Sequence, residues 1–261
     1  WLKHCSRFRL TRHQFWQPRG AAGPGLVQMQ QRLVAPEELE GVPTIKLLAE
    51  LQRRHEALCK PPLRAAVVGP PCVGKHIQAD EIRRSYAVCR IEPKDLLGPG
   101  RGEQVTDNAA LARLKEILDQ DQCRRGFVLQ GFPSTAADAE KIKKYLDQQK
   151  APIQHVVILN APDEVLADRC RGRSIHEASG RRYHDVTKPP DTPCKDDYTG
   201  ESLHTSPFDE EKFQKAVTEY RQKFKSLESF FDKHSLSRTI DASAGGADVA
   251  KAVAEVLRKT E

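Results

Sequence analysis

A short apolar run followed at once by a glycine-rich turn constrains the fold of this chain more than any other feature. The run LRAAVV (63–68) leads directly into GPPCVGKH (69–76), and an amphipathic stretch follows. Gly69, Gly74 and Lys75 satisfy the G-x-x-x-x-G-K spacing of a phosphate-binding loop, in which backbone N–H groups point inward at the start of a helix. The segment therefore predicts a strand, an anion-binding loop and a helix in series.

Apolar and helical segments alternate along the rest of the chain. Strand candidates lie at 63–68, 87–91, 127–129, 156–159 and 237–240, and helical patterns lie at 43–60, 74–84, 106–121, 135–148, 162–170, 208–233 and 246–259. This alternation predicts an α/β fold, with a five-stranded parallel sheet covered by helices on both faces. Residues 172–206 are rich in Gly, Pro, His, Asp and Lys and have no periodicity, so we expect an inserted lid.

The positive charge of the chain is concentrated at its beginning. The formal net charge is +6, and six basic residues, Lys3, Arg7, Arg9, Arg12, Arg19 and Arg32, precede the first acid, Glu37. An arginine-rich, acid-poor segment is typical of an organellar targeting sequence and also of an arm that binds nucleic acid or an acidic partner. We expect residues 1–42 to form a basic extension and 43–62 a docking helix with its linker.

The cysteine content favours free thiols. The seven cysteines include no C-x-x-C pair, and the total is odd, which predicts reduced side chains rather than a disulfide framework. Cys170 and Cys194, close to the expected lid, are the pair nearest to a zinc-type arrangement. No apolar run of about 18 residues occurs, so we expect no membrane span.

Four segments together resemble adenylate kinases of the long-lid type. They are GPPCVGKHIQA (69–79), GFVLQGFPST (126–135), the stretch from Asp168 to Leu203, and TIDAS (239–243), in the family's order. The resemblance implies a three-layer P-loop nucleoside monophosphate kinase fold over 63–261. It also implies a lid at 172–206 and an AMP-binding region at about 86–122 that is shorter than usual.

The same resemblance implies a donor site for ATP or ADP. It assigns the phosphates to the loop residues Gly69, Cys72, Val73, Gly74, Lys75, His76 and Ile77, with Lys75 as the catalytic candidate if the protein is active. Arg169 is expected against the adenine, Arg173 at the phosphates, and Tyr183 and His184 near the same nucleotide. His176, Ser179, Asp196 and Thr199 match the positions that tie the lid by hydrogen bonds in some members and by zinc-binding cysteines in others, so zinc is not expected.

The sequence departs from the family's pattern where the reaction needs charge. The threonine that holds Mg²⁺ is replaced by Ile77, and the D-G-F-P-R phrase has become QGFPS, with Gln130 and Ser134. The glutamine that reads AMP is replaced by Asp138, and no arginine occurs between Leu203 and Val217, where the family carries two. Since phosphoryl transfer depends on such cations and on Mg²⁺, these losses predict weak Mg²⁺ binding and little or no kinase activity.

Three classes of function therefore remain. The leading hypothesis is a degenerate adenylate kinase-like protein that acts as a structural subunit of a larger mitochondrial assembly, with protein subunits as partners and RNA as a candidate partner of the basic segment. The alternative is an active nucleoside monophosphate kinase that transfers a phosphoryl group from ATP to AMP. An axonemal or cytoplasmic location, and an independent role in nucleic-acid binding, also stay open.

Overall fold

The computed structural model describes residues 41–96, 107–186, 188–205 and 208–258. Its centre is a five-stranded sheet with the order β2-β3-β1-β4-β7, in which every neighbouring pair is parallel. The seven strands of these ranges are β1 Leu63–Val68, β2 Cys89–Ile91, β3 Gly126–Gln130, β4 His155–Asn160, β5 Arg173–His176, β6 Arg181–His184 and β7 Ser237–Asp241. The predicted α/β fold with a five-stranded parallel sheet is confirmed, and β5 and β6 form a separate antiparallel pair in the lid.

Helices cover both faces of this sheet. Those in the described ranges are α1 Thr44–Cys59, α2 Lys75–Tyr86, α3 Pro93–Leu96, α4 Asp107–Leu118, α5 Ala136–Gln148, α6 Asp163–Arg171, α7 Glu210–Lys233 and α8 Gly246–Arg258, with a 3-10 turn at Asp121–Cys123. The strands are apolar on both sides because they are buried between two layers. Ala65 and Val67 of β1 therefore join one core cluster, while Ala66 and Val68 join the other.

Helix α7 is long enough to contribute buried side chains to the core clusters on both faces of the sheet. Phe213 and Val217, near its start, are buried in the cluster that contains α2 and α8. Leu227 and Phe231, near its end, are buried with α4 and α5 on the opposite side of the sheet. The loop between β1 and α2 follows a central strand that pairs with β3 and β4 and is buried in both core clusters. Packing on both faces of the sheet therefore fixes the position of this loop.

The prediction that the cysteines are free thiols is wrong for four of them. Disulfides join Cys72 to Cys170 and Cys89 to Cys123, with Cα separations of 5.6 Å and 4.9 Å. The partners are 98 and 34 residues apart in sequence, so sequence spacing gave no sign of the pairs that the parallel topology brings together. Cys170 is therefore not paired with Cys194, which is exposed.

Helix α1 packs on the domain with one side only. Ala57 is buried, and the Arg53 guanidinium donates to the carbonyl of Arg84 on α2. Leu48, Leu51 and Leu58 are each more than half exposed on another side of the helix. The basic segment and part of the expected AMP-binding region, 1–40 and 97–106, lie outside the described residues. Within the described ranges, no helix has the length and apolar character needed to cross a membrane.

Candidate functional site

The loop between β1 and α2 has the backbone of an anion cradle. A Cβ on Gly69 would lie 2.7 Å from the carbonyl oxygen of Leu159, so the close approach of loop and β4 requires glycine. Cys72 and Gly74 both have positive φ, 60° and 96°. In the part of the chain that the structure describes, no acceptor is found for the N–H groups of Cys72, Val73 and Gly74. N–H groups left open at a helix start favour an anionic ligand.

The lysine of the loop is held against the loop itself. Lys75 Nζ donates to the carbonyl oxygens of Gly69 and Pro70, at 2.8 Å and 2.6 Å. Burial lowers the pKa of Lys75 to about 8, and the nearby positive charges of Arg173 and Arg182 contribute. An anion bound in the loop would restore the ordinary preference of this amine for its charged form.

The lid brings two arginines towards this lysine. In the register of β5 and β6, Ser174 lies opposite Tyr183 and His176 opposite Arg181, and Ser174, His176 and Tyr183 are buried inside the lid. Since side chains alternate across a strand, Arg173 and Arg182 lie on the other face. There they act electrostatically on Lys75 and His76.

The charges around the loop are almost all positive. Burial lowers the pKa of His76 to about 3, assisted by Arg182, Arg173, Arg90 and Lys75, so this imidazole is neutral at physiological pH. The Nε of Arg173 is buried without a hydrogen-bond partner among the described residues. The ion pairs of the neighbouring arginines involve Arg171 and Arg181, and within the described ranges none involves Lys75, Arg173 or Arg182. Three cations without a carboxylate partner make this a site for a polyanion.

Arg169 closes one side of the same region. Its guanidinium donates to the carbonyl of Val73 in the loop, at 3.4 Å, and to the carbonyls of Ser243 and Ala244, at 3.3 Å and 2.9 Å. It therefore joins the loop to the turn that follows β7.

A network of hydrogen bonds holds the lid together. His176 Nδ1 is 2.7 Å from Ser179 Oγ, and the backbone N–H and hydroxyl of Thr199 both donate to Asp196 Oδ2, at 2.9 Å and 3.1 Å. The Thr199 hydroxyl also lies 3.4 Å from His176 Nε2. The four residues expected to tie the lid are thus joined directly to one another.

Further residues of the lid, not expected from sequence, complete this network. Arg181 grips both oxygens of Asp196, at 2.7 Å and 2.6 Å, and the Tyr183 hydroxyl donates to Asp196 Oδ1 at 2.9 Å. His176 Nε2 is 2.6 Å from Glu201. The Arg181 guanidinium holds the pKa of the fully buried Asp196 well below its usual range. Among the described residues, no group of three or more His, Cys, Asp or Glu side chains is arranged to hold a metal ion.

On the acceptor side, the replaced residues contact one another. Ser134 Oγ donates to Asp138 Oδ2 at 3.1 Å, and Thr135 caps α5 by accepting from the Asp138 N–H at 3.2 Å. The Asp138 carboxylate thus lies in the first turn of α5, where the helix dipole stabilises a negative charge, and accepts the Ser134 hydrogen bond. Gln130 is 8% exposed, and its Oε1 has no hydrogen-bond partner within the described ranges.

The polar residues at 90–95, where the expected AMP-binding region begins, bond to one another. Arg90 Nη2 lies 2.6 Å from buried Glu92, and Lys94 Nζ lies 3.3 Å from the same carboxylate. Asp95 accepts from the Glu92 N–H at 2.8 Å and so closes the first turn of α3. The two cations described at this entry, Arg90 and Lys94, are thus both paired with the Glu92 carboxylate.

Most of the predicted donor-site residues lie close to the loop between β1 and α2, whereas three of them lie elsewhere. The loop from Gly69 to Lys75, His76, Arg169 and Arg173 lie together. Ile77 is half exposed in the first turn of α2, and Tyr183 belongs to the interior of the lid. His184 packs against Gly172, where an added Cβ would lie 2.9 Å from the ring.

Arg182 and the Cys72–Cys170 bond were missed by the sequence interpretation. The adjacent pair Arg181-Arg182 carried a usable signal, because one of two successive residues in a strand must point to the opposite face. The disulfide carried no such signal.

Comparison with known proteins agrees with this geometry. The family model described as adenylate kinase matches residues 67–236. The chain is 36% identical over 201 residues to an adenylate kinase of Malassezia globosa, covering 69% of this chain and 78% of that protein. It is 30% identical over 242 residues to adenylate kinase 4 of Oryza sativa subsp. japonica, covering 86% and 100%. It is 35% identical over 185 residues to adenylate kinase 4 of Arabidopsis thaliana, covering 65% and 75%.

Proposed function

The chain belongs to the adenylate kinase family, and from that premise we propose that it binds ATP or ADP at the donor site and acts mainly as an accessory subunit of a larger assembly. The observation that carries the nucleotide part is that Lys75, under the charge of Arg173 and Arg182, belongs to a loop whose N–H groups at residues 72–74 are open. Such an arrangement favours the phosphate chain of a nucleotide.

The residues present fit the nucleotide but do not fit a Mg²⁺ ion held by the protein. Ile77 offers an alkyl group where a hydroxyl would be needed, and Gln130 supplies one neutral oxygen in place of a carboxylate. Mg²⁺ is usually held by one or two carboxylates together with substrate phosphates and water. We therefore assign neutralisation of the phosphates to the three cations of the site, and expect ATP affinity to depend little on Mg²⁺.

The acceptor side supports the loss of the kinase reaction. Ser134 and Asp138 are bonded to each other, and Glu92 is paired with Arg90. The arginine described on this side, Arg90, is already paired with the carboxylates of Asp80 and Glu92, so it does not stand ready to hold AMP or to stabilise the transferring phosphoryl group. Removing one such arginine lowers phosphoryl-transfer rates by a factor of about 10³ or more, so with several losses we expect activity near background.

Two measurements on the purified protein test the nucleotide proposal. Calorimetric titration should show ATP binding that changes less than about threefold between Mg²⁺ and EDTA, no binding of AMP alone, and loss of ATP binding in Lys75→Met. A coupled assay of ADP formation from ATP and AMP should give turnover below about 1 s⁻¹. Turnover above that value, or a bisubstrate dinucleotide that binds far more tightly than ATP, would show that the acceptor site functions and that the protein is a kinase.

The exposed face of α1 supports the accessory role. Leu48, Leu51 and Leu58 follow one another at helical spacing on a side of α1 that does not contact the domain. An apolar stripe of this kind fits the apolar groove of a partner protein. The basic composition of residues 1–32 supports a mitochondrial location and a contact with RNA or an acidic protein.

Tagged full-length protein tests this part of the proposal. The wild-type chain should enter a large particle of the mitochondrial fraction on a density gradient, and Leu48→Asp with Leu51→Asp should release it to the monomer position. Ala49→Asp, at an exposed position about 100° around the helix from Leu48, should leave the sedimentation unchanged. Wild-type protein that sediments only as a monomer contradicts the accessory role.

A further inference from the structure

The disulfide between Cys72 and Cys170 joins the phosphate loop to the base of the lid. Cys72 lies inside the loop between Gly69 and Lys75, and Cys170 lies on α6, two residues before Gly172, where the lid begins. The adjacent Arg169 makes a second link, from α6 to the carbonyl of Val73. The loop is thus tied to α6 at two successive residues, once covalently and once by a hydrogen bond.

The two disulfides of the chain differ in accessibility. Cys89 and Cys123 are 7% and 6% exposed and belong to the core beside α4 and α5. Cys72 and Cys170 are only partly buried, at the surface of the site. Since thiol–disulfide exchange requires a thiolate to reach one sulfur of the bond, a dissolved thiol can reach the pair at the loop far more easily than the pair in the core.

The bond also constrains the backbone on which anion binding depends. Cys72 has a φ of 60°, in the left-handed region that a non-glycine residue adopts at a cost. This conformation helps to leave the neighbouring N–H groups open towards a ligand. With the cross-link in place Cys72 is held there, whereas without it the loop keeps the weaker restraints of the 3.4 Å bond from Arg169, the Lys75 bonds to Gly69 and Pro70, and the buried Val73 side chain.

We infer that Cys72 and Cys170 form a reversible thiol–disulfide site that controls nucleotide binding, with the oxidised state as the tighter binder. Oxidation requires a disulfide co-reactant, for which oxidised glutathione represents the chemical class. The thiolate of one cysteine attacks this disulfide, forming a mixed disulfide and releasing one glutathione thiolate. The second cysteine then displaces the other, so that one Cys72–Cys170 bond and two reduced glutathione molecules result.

The size of the effect follows from the backbone of Cys72. Release from the left-handed conformation lets the loop populate states that cannot bind phosphate, and apparent affinity falls with the fraction of competent molecules. We expect reduction to weaken ATP binding by about tenfold, which corresponds to ~1.4 kcal/mol. The effect on ATP rests on the proposed donor site, whereas the effect on loop mobility does not.

The test compares full-length protein equilibrated with oxidised glutathione and with dithiothreitol. Peptide mapping by mass spectrometry reports the Cys72–Cys170 linkage, calorimetry reports the ATP dissociation constant, and hydrogen exchange reports the amides of residues 72–74. Oxidised wild-type protein should show the linkage, slower exchange and the tighter constant. Cys170→Ser should behave like reduced wild type in both conditions, while Cys194→Ser, at the exposed cysteine of the lid, should keep the full redox response.

Cys72→Gly serves as a second variant that suits the positive φ and so keeps the fold. It should bind ATP equally in both conditions. Absence of the linkage after oxidation, or identical exchange and affinity in the two states of the wild type, overturns the inference. If ATP binds in neither state, the proposed donor site is wrong, and exchange of residues 72–74 alone decides whether the disulfide controls the loop.

Discussion

ATP binding should take up a proton at Lys75 in alkaline solution. The amine has a pKa of about 8 in the free protein because it is buried beside Arg173 and Arg182. A bound phosphate chain favours the charged amine and raises this pKa. Above pH 8 the free protein must therefore gain a proton as it binds, and affinity must fall as the pH rises.

The pKa of about 8 fixes the magnitude of this effect. Linkage predicts uptake of about 0.1 proton per ATP at pH 7 and about 0.75 proton at pH 8.5, and an affinity about tenfold lower at pH 9 than at pH 7. The sign follows from the free protein, in which the charged form of Lys75 that ATP selects is almost fully populated at pH 7 and is progressively lost as the pH rises through 8.

Calorimetry at pH 8.5 in two buffers of different ionisation enthalpy measures the proton uptake directly. Arg182→Gln serves as the matched variant, because removing one neighbouring cation should raise the pKa of Lys75 and lower the uptake. Each nucleotide titration is repeated at pH 7, where little uptake is expected. Equal uptake at pH 7 and pH 8.5 in the wild type, or no decrease in Arg182→Gln, would refute the assignment of Lys75 as the buried phosphate-binding amine.

Three further substitutions test the scaffold of the site. Gly126→Ala should lower the free energy of unfolding by at least about 2 kcal/mol in urea denaturation, because its φ is 114° and a Cβ would lie 2.0 Å from the Leu63 carbonyl oxygen. Gly41→Ala, in open space, should change it by less than about 0.5 kcal/mol. Phe231→Ala, which empties a fully buried position of α7, should cost about 3–5 kcal/mol in the same measurement; a loss below 1 kcal/mol contradicts the packing described. Asp196→Asn should expose the lid to limited proteolysis by weakening its bonds to Arg181, whereas Asp185→Asn should leave the cleavage pattern unchanged.

The hydrogen-bonded lid also predicts its behaviour in acid. The pKa of Asp196 is lowered by Arg181, so the contribution of this carboxylate to stability is present above the unfolded value near 4 and is lost only as the pH falls through the lower folded value. The lid of the wild type should therefore resist proteolysis by an acid protease at pH 4. Early cleavage within 172–205 at that pH would contradict the network.

The sequence alone determined the architecture and the position of the phosphate loop. Each strand candidate matches an observed strand to within about two residues, since apolar runs between helical segments leave little choice in a two-sided sheet. The same local logic placed Lys75 at the start of α2. It also predicted an inserted segment at 172–206, because 35 residues without periodicity inside a compact domain favour a separate structure, and the antiparallel pair β5–β6 lies within that stretch.

Tertiary structure decided which charges and which cysteines meet. Arg182 lies on the side of Lys75 because the lid hairpin pairs with the register that turns Arg181 and Tyr183 towards Asp196 on the opposite face. Cys72 and Cys170 are 98 residues apart, and only the packing of α6 beside the loop brings their Cα atoms to 5.6 Å. Local patterns report the neighbours of a residue along the chain, whereas pKa values, ion pairs and disulfides depend on neighbours in space, which the complete fold supplies.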